Sequence, residues 1–352
     1  MTATTTPHPS QRPHLAAMLE DTVFRGIGWV LRRFGRWAPR IEPLTGYGTS
    51  RQVRVLGRVL LGPPQATRSS GAVDRRGFRQ FLTVPAPGIR VPVAVAGATV
   101  TVEADRGGYV DVEIDLPEEG TLPAGWQEAT LDGVPTPLLV VDDATTFGVV
   151  SDIDDTAMVT AVPRLLLAGW NTFIRHTSTR RAVDGMPELY RQIAGARPDA
   201  PFMYLSTGAW NTAGVLRGFL ARNGYPAGPL LLTDWGPTQT GWFRSGPEHK
   251  DSSIDRLMTT FPQVRWLLVG DDGQHDPDIY RRAAERWPDR VVGVAIRELT
   301  PAQQVLAHGS TSVPEDARPS GPVPPDVPTV RGGDGGVLAK LLADVPDVLA
   351  AD

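Results

Sequence analysis

The 352-residue chain contains no cysteine. That excludes a disulfide framework and any thiolate metal site. Lysine is nearly absent too: among 35 basic residues only Lys250 and Lys340 are lysine. Against such an arginine bias, a lysine marks a place where arginine will not serve. There is no excess of positive charge either. The formal net charge is -4, whereas bulk nucleic-acid binding needs a basic face, so no nucleic-acid partner is expected. No apolar run reaches the roughly eighteen residues of a membrane-spanning helix. The first residues, MTATTTPHPSQRPH, lack the charged start and apolar run of a secretory leader. Together these absences lead to the expectation of a cytoplasmic protein.

What is present changes character along the chain. Residues 1–13 are rich in Thr, Pro and Ser and are expected to be disordered. Across residues 14–40, apolar side chains at Leu15, Met18, Leu19, Val23, Ile27, Val30, Leu31, Phe34 and Trp37 recur at helical spacing. Arg25, Trp29, Arg32 and Arg36 fall on the other face. Such a helix can lie at an anionic membrane surface or dock on its own protein. Residues 50–143 read as short strands. VRVLGRVLL is one, VPVAVAGATVTVEA is two about Gly97, and YVDVEIDL alternates apolar and polar residues. Strands of this kind predict a small β-sandwich.

From 145 to 300 short buried-type strands (FGVVSD, FMYLST, PLLLTD, VRWLLVGD, VVGVAI) alternate with helical segments. This alternation predicts an α/β domain with a parallel sheet, whose ligands gather at the carboxyl ends of the strands. Residues 312–336 are dense in Pro and Gly and read as a linker. The tail to residue 352 reads as a short helix broken near Pro346.

Four pieces at strand ends or helix starts carry chemistry. Asp152, Asp154, Asp155 and Thr156 follow the strand FGVVSD. Several carboxylates packed together repel unless a cation offsets them, and a hard divalent cation with oxygen ligands fits best. Ser206 ends a strand, with Thr207 and Gly208 opening the next turn, where a hydroxyl and backbone amides can hold a phosphate oxygen. Lys250 carries a compact ammonium able to neutralise a phosphoryl group and a neighbouring carboxylate. LLVGDDGQHD places Asp271, Asp272 and Asp276 after another strand. A calcium loop is a poor alternative: the sixth and twelfth positions from Asp152 are Ala157 and Pro163, not Gly and Glu. In a phospho-receiver domain the lysine comes last, whereas Lys250 precedes the second acidic cluster.

In that order, Asp-x-Asp-x-Thr, Ser, Lys and Gly-Asp-Asp-x-x-x-Asp resemble the haloacid dehalogenase (HAD) superfamily of phosphatases. More narrowly, SDIDDT, YLSTGAWN, LLTDWGPT, GWFRSGPEHK and LVGDDGQHDPDIY resemble the phosphatidate phosphatase catalytic-domain family of the actin-patch-protein type. The resemblance covers about residues 145–300. It implies a HAD-like Rossmannoid domain and a Mg²⁺ cofactor. It implies Asp152 as nucleophile, Asp154 as general acid/base, and Ser206 and Lys250 as stabilisers of the phosphoryl group. Asp271 corresponds to the main carboxylate of the second metal motif, with Asp272 or Asp276 assisting. Asp152 and Asp154 complete the metal set, and Thr207, Gly208 and Asn211 join the substrate set.

The implied reaction is dephosphorylation of phosphatidate to diacylglycerol, with possible peripheral contact at the inner membrane surface. Phosphatases of soluble phosphomonoesters are the alternative reading, and a non-catalytic anchoring module is a third. Asp234, Arg244, His249 and His275 lie near the motifs, but ordinary surface or turn roles explain them equally well or better. PRLLLAGWNTFI, residues 163–174, could meet an acyl chain, although a buried helix explains the same letters more often.

Overall fold

The computed structural model describes residues 3–4, 37–62, 84–159, 181–233, 246–273, 275–308, 324 and 326–349. The expected amphipathic helix up to residue 36, the segment 163–174, Asp234 and Arg244 lie outside the described residues. The chain divides into two compact units, Met1–Asp142 with Asp234–Arg244, and Asp143–Thr233 with Ser245–Asp352.

The first unit is built from β1 (Ala3–Thr4), β2 (Ala38–Gly48), β3 (Gln52–Gly62), β4 (Val84–Pro85), β5 (Arg90–Val95), β6 (Ala98–Glu103), β7 (Tyr109–Asp115), β8 (Gly125–Leu131) and β9 (Val134–Val140). Alternation decides which face is buried. In β7, Val110, Val112 and Ile114 are buried while Asp111 and Asp115 face solvent. Two tight turns join neighbours. Ala96–Gly97 links β5 to β6 and Asp132–Gly133 links β8 to β9, and all four residues have positive φ, as a primed hairpin turn requires.

These strands form one sheet, in the order β1-β7-β3-β2-β9-β8-β5-β6, with β4 beside β3. Every pair is antiparallel except β2 with β9. β6 and β7, near opposite ends of that order, lie beside each other. The sheet therefore curls around a single core that takes residues from β3, β5, β6, β7, β8 and β9. Among the described residues this one sheet of mixed direction leaves the expected β-sandwich unconfirmed. Alternation reports the buried face of a strand, not how strands are divided between sheets.

Two further expectations are corrected here. Ala3 and Thr4, in the stretch read as disordered, pair with Ile114 and Glu113. Residues 38–40, read as the end of a helix, begin β2. Pro39 and Pro43 hid that strand. β9 pairs with β2 only at Gly46–Gly48, so the earlier residues keep an open edge that tolerates proline.

The second unit runs β10 (Phe147–Asp152), α1 (Met186–Ala196), β11 (Phe202–Ala209), α2 (Ala213–Arg222), β12 (Leu230–Thr233), α3 (Gly246–Thr260), β13 (Arg265–Asp271), α4 (Asp276–Arg286), β14 (Val291–Arg297), α5 (Pro301–His308), β15 (Thr329–Gly332) and α6 (Gly335–Leu342). The strand order is β12-β11-β10-β13-β14-β15, and every pair is parallel. All residues of β10, β12 and β14 are buried, as strands covered on both faces should be. β10 is flanked by β11, the next strand, and by β13, a later one. That reversal opens a crevice at the carboxyl ends.

β15 corrects the linker reading of 312–336, because Thr329–Gly332 pairs with Val294–Arg297. The Pro/Gly density masked a four-residue edge strand. Asp334 then caps α6 by accepting a hydrogen bond from Val337 N at 2.9 Å. α6 begins against the start of α1 at a backbone contact. A Cβ on Gly335 would lie 2.2 Å from the Gly185 carbonyl carbon. Gly335→Ala is expected to lower the urea midpoint, since overpacking costs about 1–3 kcal/mol. An unchanged midpoint would mean the two segments separate freely.

Candidate active site

β10 drives the chain from a buried strand directly into Asp152, which is 1% exposed. Across the crevice, Lys250 projects from the second turn of α3 and is equally buried. Lys250 Nζ donates to Asp152 Oδ1 at 2.6 Å and to Asp276 Oδ1 at 2.5 Å. Asp276 opens α4, and Asp271 ends β13. Ligand atoms of Asp152, Asp271 and Asp276 all lie within 4.8 Å of one another. The glycines of this motif make the packing possible. A Cβ on Gly270 would sit 2.6 Å from Asp276 Oδ2, and one on Gly273 would sit 2.8 Å from Asp271 Oδ1. Gly273 N also donates to that Asp271 oxygen at 2.7 Å. Thr156 Oγ1 lies 3.4 Å from Asp271 Oδ2.

Asp154 is placed differently. Its carboxylate is not part of that close group, belongs to a partly exposed residue, and accepts from Ser206 Oγ at 2.8 Å. Ser206 Oγ in turn accepts from Gly208 N at 2.9 Å. The carbonyls of Thr207 and Gly208 both receive Thr233 Oγ1, at 2.8 and 3.3 Å. Asn211 lies in a short 3-10 turn, Trp210–Thr212, and its side chain is outside the described residues. Asp272, read as a metal-motif carboxylate, does not join the group. Its Oδ1 accepts from Leu299 N at 2.8 Å and from Gln304 Nε2 at 3.0 Å. His249 Nε2 meets the Leu231 carbonyl at 3.3 Å, and His275 supplies the residue before α4.

Some participants escaped sequence reasoning. Ser151 Oγ hydrogen-bonds Tyr190 Oη and donates to the Asp152 carbonyl at 2.6 Å, fixing the backbone at the strand end. Arg297 and Gln304 were also missed. A buried arginine closing the apolar strand VVGVAIR was the available signal for the first.

Burial pushes the Asp152 carboxyl well above the usual carboxylate range; Lys250 opposes that shift, while Asp276 and Asp154 add to it. Asp271 is pushed up in the same way by burial and by Asp276, Asp152 and Asp155. Burial alone would lower the Lys250 ammonium pKa, but Asp152 and Asp276 outweigh it and hold the pKa above its usual value. One ammonium thus faces three buried carboxylates. Among the described residues, Oδ2 of Asp152 and Oδ2 of Asp276 are buried with no hydrogen-bond partner. An all-oxygen donor set with surplus negative charge and two orphaned oxygens fits a hard divalent cation.

A stability prediction follows from the signs. A carboxyl raised by folding destabilises the fold once pH climbs from about 4 through its raised value. In cation-free buffer, stability is therefore expected to fall as pH rises through that window. Added Mg²⁺ should raise Tm, and should do so more at pH 8 than at pH 5. An equal or absent shift at both pH values would count against a cation among these carboxylates.

Residues 147–298 match the family model described as "Phosphatidate phosphatase APP1, catalytic domain". Those residues belong to the phosphatidate phosphatase APP1 catalytic-domain family. The Saccharomyces cerevisiae phosphatidate phosphatase APP1 is 28% identical over 151 residues, which are 43% of this chain and 25% of that protein. An uncharacterized protein of Schizosaccharomyces pombe is 25% identical over 161 residues, 45% of this chain and 26% of that one. The chain spans about a quarter of the length of these curated relatives. Among solved structures, the HAD domain of effector protein Lem4 from Legionella pneumophila aligns with a TM-score of 0.31 and 14% identity. That alignment covers 44% of this chain and 87% of the Lem4 domain, and a likeness so loose does not bear on the family assignment. The family segment begins with the strand that delivers Asp152 and ends one residue after Arg297.

Proposed function

We propose that this protein is a Mg²⁺-dependent phosphatase that forms an aspartyl-phosphate on Asp152 and dephosphorylates phosphatidate to diacylglycerol. The observation that carries this reading is the cluster at the end of β10. Asp152 is held by Lys250 among three buried carboxylates, and Asp154, two residues on, is held by Ser206.

The chemistry follows from what each side chain can reach. Lys250 occupies Asp152 Oδ1 and leaves Oδ2 without a protein partner. An Asp152 oxygen attacks phosphorus as the ester P–O bond breaks. Asp154 gives a proton to the departing alkoxide, then takes one from the water that cleaves the acyl-phosphate and releases phosphate. Ser206 aims Asp154, and Lys250 offsets charge on the transferring group. Mg²⁺ held by Asp152, Asp271 and Asp276 would offset the repulsion between carboxylate and phosphoryl oxygens.

The lipid leaving group rests on family membership. Phosphate release from phosphatidate in mixed micelles, set beside a panel of soluble phosphomonoesters, tests it. Release from soluble esters alone would keep the chemistry and remove the lipid. No release from any ester would leave the anchoring-module reading, in which three buried carboxylates would be an uncompensated burden. A cytoplasmic location with peripheral contact at the inner membrane surface belongs to the same proposal. Liposome flotation with residues 5–36 deleted tests the helix expected there, and unchanged flotation would exclude it as the anchor.

Ser206→Ala is expected to lower kcat about 10–100-fold, the usual cost of losing a group that orients a catalytic ligand, with little change in KM. An equal rise in KM would instead place Ser206 in substrate binding.

A further inference from the structure

Arg297 ends β14 and is 4% exposed. Its backbone and side chain attach to the two acidic loops separately. The Arg297 carbonyl accepts from Asp272 N at 3.0 Å, on the loop that follows Asp271. Its guanidinium Nη1 donates to the Asp155 carbonyl at 2.5 Å, on the loop that follows Asp152. Asp155 has φ of 60°, a left-handed conformation that Asp tolerates better than most non-glycine residues. Asp155 N is fixed by the Met158 carbonyl at 2.8 Å, so the guanidinium holds the other end of this left-handed residue.

The guanidinium is itself held in place. Nη2 donates to Gln303 Oε1 at 2.9 Å, and Nε donates to the Gly333 carbonyl at 3.3 Å. Gln303 is fixed by a capping box at the start of α5. Thr300 N donates to Gln303 Oε1 at 3.0 Å, and Gln303 N donates to Thr300 Oγ1 at 3.3 Å. One residue later, Gln304 joins Leu299 in gripping the Asp272 carboxylate. Residues 297–304 thus tie down both loops.

We propose that Arg297 is a positioning residue: it braces the loop after Asp152 against the loop after Asp271 and so sets the spacing of the carboxylates that take the divalent cation. This rests on the reading of that cluster as a phosphatase site. The planar fork matters, because only a guanidinium can reach the Asp155, Gln303 and Gly333 acceptors at once. Arg297→Lys keeps the charge and loses the fork.

The test compares Arg297→Lys and Gln303→Ala with the parent full-length chain. Measured quantities are Tm, kcat and KM for phosphate release, and Mg²⁺ affinity by calorimetry. For Arg297→Lys we expect Mg²⁺ affinity about 10-fold or more weaker and kcat about 10–100-fold lower, as when a ligand-orienting partner is lost, with KM little changed. Gln303→Ala should move the same quantities in the same direction by less. Folded Arg297→Lys with the parent's kcat and Mg²⁺ affinity would overturn the proposal, as would a loss confined to KM. If Arg297→Lys fails to fold, Gln303→Ala decides by the same criteria. If the parent hydrolyses no ester, the proposed function fails and calorimetry alone decides: equal Mg²⁺ affinity in parent and variant, or none in the parent, would overturn the brace.

Discussion

On the proposed aspartyl-phosphate route, Asp152→Asn protein is expected to release phosphate at least about 10³-fold more slowly than the parent, because removing the proposed nucleophile abolishes the covalent route rather than weakening it. The amide occupies nearly the same volume and can still accept from Lys250, so the fold is expected to survive. Its stability should in fact match or exceed the parent's in cation-free buffer. Burial and the Asp276 and Asp154 charges all push the Asp152 carboxyl upward, with only Lys250 opposing, so replacing it with a neutral amide relieves repulsion. A functional site that weakens the fold carrying it is the pattern that gives an inactive variant a higher Tm. Activity and Tm measured on one preparation check both halves. Phosphate release unchanged by the substitution would end the aspartyl-phosphate reading. A Tm several degrees lower would mean that Asp152 is a net structural contributor, and the electrostatic account of the cluster would be wrong.

The site was largely visible in the chain because its residues sit where burial stops. A parallel strand covered on both faces must be apolar to its end, so an Asp directly after FGVVS stands out, and the same holds for Asp271 after RWLLVG. Which neighbour faces the site was less plain, although the rule was at hand. Successive side chains at a strand end point opposite ways. Asp271 turns in, so Asp272 turns out and anchors Leu299 and Gln304 instead. The third carboxylate comes from Asp276, brought back by the first turn of α4. Arg297 stands out as a charge closing the apolar strand VVGVAIR, but its partners were not legible. Its work is done through a backbone carbonyl 142 residues away in the chain, and no local pattern encodes such a partner. In the first unit, alternation identified buried faces correctly in β7 but carried no information about strand neighbours. That is why the order of the strands, and the proline-bearing β2 among them, went unseen.

Lys250→Met is expected to be the most damaging substitution to stability. Lys250 joins two carboxylates that are themselves fully buried. Removing one partner of a buried pair leaves an uncompensated charge and costs about 3–5 kcal/mol. Here the ammonium serves two partners, which places the expected loss at the upper end. On the proposed mechanism the same change removes the ammonium that would offset charge on Asp152 and the phosphoryl group, so activity should fall to background with Mg²⁺ present. The pH dependence gives the sign that separates lost charge from lost packing. Asp152 already sits above the ordinary carboxylate range and, without Lys250, moves further up. Below that range the carboxyl is protonated and needs no cation, so the penalty should shrink as pH falls and grow as it rises. Urea midpoints at pH 5 and pH 8 check this directly: a deficit equal at both would mean Lys250 matters for its packed methylenes, not its charge. Lys250→Arg sharpens the comparison. It restores a positive charge and should recover part of the stability at pH 8. A planar fork cannot place one nitrogen 2.6 Å from Asp152 and 2.5 Å from Asp276 as a single Nζ does, so activity should stay low. Full activity in Lys250→Arg would show that charge alone suffices there, and that the chain's one lysine in this unit's strand-end cluster holds its place for some other reason.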